Sequence, residues 1–369
     1  LDGAERALGR ILEETRELDM VTALGMPIRR QNKLYNCAAV IHKGKILGLV
    51  PKTYIPNYGE FYEARWFAPG AMEVEYDSTL CGQNVPLGTS QIFGAQNIPG
   101  LIIGVEICED LWAVSPPSTR LVTLGATVIL NLSASDEVAG KAEYRRQLVT
   151  GQSARLVCGY IYADTGEGES STDLVFAGHN MVAENGVLLA DKRFGTGLTV
   201  SEIDLGRLTY ERKRMNTFPH RDRKYDGIHY GLNISLFPLE PSPTSLTRTV
   251  SPTPFIPQDE SHRAERCQEV LTIAALGLKK RLEHTGSPKA VIGLSGGLDS
   301  TLALLITARA FDLLGKEHKD IVAVTMPCFG TTKRTRSNAE ILATELGADF
   351  REVNISAAVT QHFADIGQS

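Results

Sequence analysis

The chain has 369 residues, 43 % of them hydrophobic and 22 % charged, with a formal net charge of −5. That length and apolar content fit a globular protein of two domains with sizeable cores. The acidic balance argues against a large nucleic-acid face, and no apolar run approaches membrane-spanning length.

From the N-terminus, Leu8, Ile11, Leu12, Thr15 and Leu18 recur at helical spacing with Glu and Arg opposite. Residues 20–24 and 37–41 read as strands joined by a polar connection over 25–33. His42 to Lys45 is a hairpin turn into a third strand, Ile46 to Val50. Apolar runs at 101–107 and 127–132, a helical stretch at 141–155, and strands at 157–163 and 180–190 follow, the last with a turn at Glu184-Asn-Gly186. Strands alternating with helices predict an α/β sandwich over residues 1–205. Residues 206–259 begin charged (Glu211 to Arg214, His220 to Lys224) and become rich in proline and serine, the composition of an inter-domain connector. The basic cluster reads as solvated surface or a subunit contact rather than a nucleic-acid site. A second α/β domain is predicted over 260–369. It comprises a helix over 262–283 capped by Ser261, parallel strands at 290–294, 321–326 and 350–355, and helices after the first two strands.

The six cysteines, Cys37, Cys81, Cys108, Cys158, Cys267 and Cys328, form no C-x₂-C pair and have no His at zinc-site spacing. A reducing, cytoplasmic setting is the simplest reading.

Two stretches carry chemistry. In the second domain, the apolar run Ala290 to Leu294 ends in Ser295-Gly-Gly-Leu-Asp-Ser300 and leads into a helix. A strand, glycine turn and helix start aim backbone N–H groups and a positive dipole end at one point, which suits phosphate oxygens. Asp299, acidic in a place made for anions, reads as a Mg²⁺ ligand beside them. No Gly-Lys-Ser/Thr follows the glycines, so the loop is not a Walker A motif. In the first domain, Cys108 stands at the end of an apolar strand in Gly104-Val-Glu-Ile-Cys-Glu-Asp-Leu-Trp112. A thiol so placed can act as a nucleophile when a cation and a base lie close.

The Ser295 to Ser300 loop resembles the pyrophosphate loop of ATP pyrophosphatases, and Gly293 to Ser300 (Gly293, Leu294, Ser295, Gly296, Gly297, Leu298, Asp299, Ser300) would bind ATP. Pro51-Lys-Thr-Tyr-Ile-Pro-Asn-Tyr-Gly-Glu60, followed by the Cys108 segment, resembles the nitrilase superfamily. By that resemblance Cys108 is the nucleophile, Lys52 the oxyanion stabiliser and Glu60 the supporting second glutamate. Together with Leu132 to Ser135, Gly168 to Phe176 and Phe329 to Thr332, the two halves resemble the glutamine-dependent NAD⁺ synthetases.

The resemblance implies a four-layer α-β-β-α glutaminase followed by a Rossmann-like parallel α/β synthetase domain. Tyr58, Glu109, Ser135 and Lys141 would contact glutamine. ATP with Mg²⁺ would adenylate deamido-NAD⁺, and the protein would be a cytoplasmic homo-oligomer with no nucleic-acid or membrane partner. It also implies that the family's general-base glutamate and its deamido-NAD⁺ site lie outside this sequence at its two ends. The alternatives are an amidotransferase of the same build acting on another carboxylate, and a non-catalytic fragment.

Overall fold

The computed structural model describes residues 1–170, 174–219, 232–329 and 333–368, with backbone alone for 333–336. It divides into two compact units, Leu1–Thr249 and Val250–Ser369.

The first unit opens with α1 (Asp2–Glu14), then β1 (Val21–Arg30), β2 (Lys33–His42) and β3 (Lys45–Pro51). The segment expected as a polar connection over 25–33 is strand instead. β1 and β2 pair from Val21↔His42 to Arg30↔Lys33, and only Gln31 and Asn32 are left for the turn. The hairpin continues outward on its polar residues because backbone pairing does not need apolar side chains where both faces are not buried. β4 (Glu75–Leu80) and β5 (Gln83–Leu87) complete a sheet of order β1-β2-β3-β5-β4.

Next come β6 (Gln91–Ala95), β7 (Ile102–Ile107), α2 (Glu109–Trp112), α3 (Pro117–Thr123), β8 (Val128–Ser133), α4 (Lys141–Leu156), β9 (Gly159–Asp164), β10 (Asn180–Glu184), β11 (Val187–Lys192), α5 (Leu205–Arg214) and β12 (Asn233–Phe237). These strands form a second sheet of order β11-β10-β9-β8-β7-β6-β12, parallel through β7, β8 and β9.

Period-two alternation sets the layers. On β2, Cys37, Ala39 and Ile41 pack with Leu8 and Leu12 of α1, whereas Ala38 and Val40 face Phe93, Val105 and Ile107 of the other sheet. Beyond that sheet lie Leu121 and Val122 of α3 and Val149 of α4. The four layers run α, β, β, α, as expected.

The stretch expected as a connector, 206–259, behaves differently. Its N-terminal part is the helix α5, begun by Asp204, whose side chain accepts from Arg207 N. Its middle supplies β12, which pairs in parallel with β6 and buries Phe237 between the sheets. Three apolar residues, Ile234, Leu236 and Phe237, in a polar, proline-rich context gave too weak an alternation to read as a strand. The basic run from His220 lies outside the described residues, as do Ser171 to Asp173 and Gly330 to Thr332 of two motifs named above.

The second unit comprises α6 (Glu260–Thr285), β13 (Ala290–Gly293), α7 (Leu298–Leu314), β14 (Ile321–Thr325), α8 (Lys333–Glu345), β15 (Asp349–Glu352) and α9 (Ser356–Asp365). The strands are parallel in the order β13-β14-β15, over a core of Leu282, Leu294, Leu304, Phe311 and Ile321. Asp259, rather than Ser261, caps α6, accepting from His262 N at 3.0 Å. No helix among the described residues is long and apolar enough to cross a membrane.

Candidate active site

In the first unit the C-terminal ends of β3, β7, β8 and β9 meet at a cavity of about 510 Å³ lined by Lys52, Glu63, Cys108, Glu109, Ser133 and Asp164, among others. β7 ends on Ile107, and Cys108 follows it with a backbone of φ +46° and ψ −102°. A residue with a Cβ held there costs about 1–3 kcal/mol and persists only where its surroundings over-determine it. Three contacts do so. The Cys108 N–H donates to Asn131 Oδ1 at 3.1 Å, Cys108 O accepts from Leu111 N at 3.1 Å, and the preceding Ile107 N donates to Asp110 Oδ2 at 2.9 Å.

Asp110 does a second job. Its Oδ1 accepts from Tyr54 N at 2.8 Å and Thr53 N at 3.1 Å, so one buried carboxylate ties the loop after Lys52 to the strand end that carries Cys108. Burial pushes the Asp110 carboxyl up to about 7, against the pull of the Ile107 and Tyr54 N–H groups.

Lys52 is buried and its ammonium pairs with Glu63. The other oxygen of Glu63 accepts from Asn36 Nδ2 of β2 at 2.8 Å, and Lys52 N donates to Asn36 O at 2.8 Å. Lysine, glutamate and asparagine therefore form a locked group on the cavity wall. Burial raises the Cys108 thiol above its ordinary value. The Lys52 charge opposes that shift, as do hydrogen bonds from Ala134 and Ser133, while the Asp164 carboxylate adds to it. A thiol, an ammonium fixed in orientation and a polar cavity can together perform covalent attack on a carbonyl carbon with the oxyanion stabilised.

The residues expected from sequence fall into three groups. Cys108, Lys52 and Glu109 line the cavity. Tyr58 reaches it through Glu109, donating to Oε1 at 2.7 Å; its phenol is pushed up to about 12 by burial and by that carboxylate. Lys141 opens α4, pairs with Asp136 and sits 5.5 Å from the ring centres of Phe61 and Trp112. Ser135 is buried, and its hydroxyl accepts from Arg145 Nη2 at 3.1 Å. Glu60 does not join them. It is exposed, and the partner of Lys52 is Glu63, one short turn later. Two glutamates three residues apart cannot be ranked from sequence; the discriminating feature is Asn36, which lies on another strand. The sequence reading did not single out Asp110, Asn131 or Asp164, although Asn131 lies inside an apolar strand, Asp164 ends one and Asp110 follows one.

In the second unit, β13 gives way to Leu294, whose N–H donates to Val324 O at 2.7 Å. Gly296 follows with φ +76°, and Gly297 precedes α7. Gly296 takes the left-handed backbone that lets the chain turn from strand to helix. Ser295 Oγ and Ser300 Oγ lie 3.0 Å apart, Ser295 Oγ accepts from Gly297 N at 3.2 Å, and Ser300 Oγ accepts from Ser295 N at 3.2 Å. Ser295, Gly297, Leu298 and Asp299 are exposed, so the loop faces solvent at a helix N-terminus. Asp299 lies in the first turn of α7. Among the described residues no group of three or more His, Cys, Asp or Glu could hold a metal ion. A lone carboxylate beside a phosphate-type loop nevertheless suits Mg²⁺, which keeps phosphate oxygens and waters as most of its ligands.

A family model described as carbon–nitrogen hydrolase matches residues 2–213, and one described as NAD synthase matches residues 270–369. The glutamine-dependent NAD(+) synthetase of Mycobacterium tuberculosis is 42 % identical over 360 residues, covering 96 % of this chain and 53 % of that protein. That of Thermotoga maritima is 30 % identical over 346 residues, covering 93 % and 53 %. Among solved structures, the glutamine-dependent NAD⁺ synthetase of Acinetobacter baumannii in complex with adenosine diphosphate has a TM-score of 0.45 at 23 % identity, covering 98 % of this chain and 56 % of that one. The chain spans about half the length of the curated relatives it matches.

Proposed function

The chain belongs to the carbon–nitrogen hydrolase family, with a segment matching NAD synthase behind that region, and from this we propose that it is the glutamine-hydrolysing and ATP-binding part of a glutamine-dependent NAD⁺ synthetase. The observation that carries the reading is the strained Cys108 sharing a cavity with Lys52, itself locked by Glu63.

In the first half-reaction the Cys108 thiolate attacks the side-chain carboxamide carbon of glutamine. The oxyanion forms against Lys52, the C–N bond breaks, and the amide nitrogen leaves as ammonia with the thiol's proton, which a general base carries from sulfur to nitrogen. Water then cleaves the thioester to glutamate and free thiol. Glu63 keeps the Lys52 ammonium aimed at the oxyanion, while Glu109, Tyr58 and Lys141 offer charges and a hydroxyl for the amino-acid end of glutamine.

In the second half-reaction the Gly293 to Ser300 loop holds the phosphates of ATP. Mg²⁺, when bound beside Asp299, neutralises phosphate charge. The carboxylate of deamido-NAD⁺ displaces pyrophosphate from ATP, and ammonia then displaces AMP from the adenylate. We further propose a homo-oligomer in the cytoplasm, in keeping with six free cysteines.

The test is glutamate release by the full-length protein, with Cys108→Ala as the control. Release that survives this substitution would refute the nucleophile assignment. Release abolished in Cys108→Ala and intact in the parent supports it.

A further inference from the structure

Behind Cys108, on the helix side of the second sheet, runs a chain of buried polar groups that the proposed chemistry does not use. Glu106, Asn131, Tyr160 and Ser118 are all buried. Glu106 and Asn131 stand side by side in the parallel register of β7 and β8. Cys108 N donates to Asn131 Oδ1 at 3.1 Å, Asn131 Nδ2 donates to Tyr160 Oη at 3.1 Å, and Tyr160 Oη donates to Glu106 Oε1. Glu106 Oε2 accepts from Ser118 N at 2.7 Å. Asn131 Oδ1 also accepts from Ser133 Oγ, a cavity group, at 2.7 Å. Burial raises the Glu106 carboxyl, and the donors Tyr160, Ser118 and Asn131 pull it back.

The polarity of this chain is fixed from both ends. A backbone N–H can only donate, so the atom facing Cys108 must be the amide oxygen of Asn131. At the other end both Glu106 oxygens are met by donors, Ser118 N–H and Tyr160 O–H, which leaves the Tyr160 oxygen to accept from the Asn131 amide nitrogen. Both ends demand the same orientation of one amide.

We propose that Glu106 is a positioning residue for the nucleophile: through Tyr160 it sets which way round the Asn131 amide lies, and so holds the Cys108 backbone in its strained conformation. This rests on the reading of Cys108 as nucleophile. Glu106 touches no substrate. Its effect is transmitted through two hydrogen bonds, to a residue whose conformation needs outside support.

The isosteric substitution Glu106→Gln is therefore not conservative. Ser118 N–H still needs an acceptor, so the new amide oxygen takes the Oε2 position and its NH₂ donates to Tyr160. The Tyr160 proton then turns on Asn131. Asn131 can accept it only by rotating its amide, which sets an NH₂ against the Cys108 N–H. Replacing Asn131 by Asp removes this conflict, because a carboxylate accepts from Tyr160, Ser133 and Cys108 at once.

The experiment measures glutaminase kcat and KM for the full-length protein and for Glu106→Gln, Tyr160→Phe and the double variant Glu106→Gln/Asn131→Asp, with circular dichroism to confirm folding. We expect kcat to fall by about 10-fold or more in each single variant, one to two buried hydrogen bonds' worth, with KM within about threefold. The double variant should recover most of that loss at the optimum of its own pH profile, which separates backbone geometry from any change in thiol pKa. A Glu106→Gln protein that is folded and within threefold of the parent overturns the proposal, as does a folded double variant no better than Glu106→Gln. If Glu106→Gln does not fold, Tyr160→Phe carries the test, and an unchanged kcat there is equally fatal.

If the parent protein hydrolyses no glutamine, the functional reading has failed on its own. The relay is then judged by the pH-independent limiting rate of Cys108 alkylation with iodoacetamide, read by mass spectrometry. That rate should change in Glu106→Gln and return in the double variant. An unchanged rate refutes the relay.

Discussion

The Cys108 cavity and the Ser295 to Ser300 loop solve opposite problems. The cavity holds one reactive atom in a costly backbone conformation, with support from several strands. Asn36, Lys52, Asp110 and Asn131 arrive from separate segments and converge on it through hydrogen bonds at 2.8–3.1 Å. The loop is assembled from six consecutive residues whose hydroxyls bond to their own backbone and to each other. A nucleophile must meet a carbon at one point, so it needs long-range rigidity; a phosphate-type loop needs only open N–H groups at a helix start.

The largest expected effect separates the two regions outright. In the full-length protein, Cys108→Ala should abolish NAD⁺ synthesis from glutamine and spare synthesis from high external ammonia, because covalent catalysis has no second nucleophile to fall back on. Asp299→Ala should remove synthesis from either nitrogen source while leaving glutamate release measurable. Assays with deamido-NAD⁺, Mg-ATP and each nitrogen source decide it. If Cys108→Ala also fails with ammonia, the cysteine is structural and the contrast between the regions collapses.

Next in size is the choice between two glutamates. Glu63→Gln removes the charge that orients a buried ammonium and should cost about 100-fold in glutaminase kcat, the scale of losing one oxyanion donor. Glu60→Gln alters an exposed side chain and should stay within about threefold. Equal losses in the two would show that the Lys52–Glu63 pair is not what aims the oxyanion stabiliser.

This pair also shows what the sequence could and could not reveal. The loop is a local object, and its residues, its strand and its helix were all legible from one hexapeptide between two apolar patterns. That Cys108 and Lys52 meet in one cavity was legible because each follows an apolar strand inside a recognisable segment. Glu63 was not: its role depends on Asn36, which is far away in the chain and looks like an ordinary strand residue. Asp110 and Asn131 were missed for the same reason, since a side chain that accepts backbone N–H groups from another strand leaves no periodic trace. The sandwich was legible from apolar runs, β2 and β7 among them, that alternate with helical stretches, while β12 was hidden by its polar, proline-rich neighbours.

A smaller effect probes the loop. Gly296 at φ +76° should tolerate alanine poorly, by about 1–2 kcal/mol for a left-handed residue with a Cβ. Gly296→Ala should weaken ATP-dependent synthesis by roughly 10-fold and leave glutaminase kcat unchanged. A matching loss of glutaminase activity would mean that the two regions are coupled more tightly than their separate construction suggests.

The smallest effect comes from Asp164, a carboxylate in the cavity wall that burial pushes up to about 6. Its Oδ1 accepts from Ser135 N at 2.9 Å and Thr165 N at 3.1 Å, while the buried Oδ2 has no hydrogen-bond partner among the described residues. A carboxyl whose folded pKa is raised contributes stability that is fully present below its unfolded pKa of about 3.9. That contribution is lost as the pH climbs through the folded value of about 6. At pH 8 the parent protein carries the whole cost of ionising this group. Asp164→Asn keeps an oxygen for the two backbone donors and abolishes that cost, so its melting temperature should exceed the parent's at pH 8 by the equivalent of about 1–3 kcal/mol. The gap should close as pH falls toward 4. Because the Asp164 charge also raises the Cys108 thiol, the same variant should alkylate at Cys108 about two- to fivefold faster at pH 7, a fraction of a pKa unit. A melting temperature that drops at pH 8 would show that the Asp164 charge stabilises the cavity, through Arg145 or another cation, more than its burial costs.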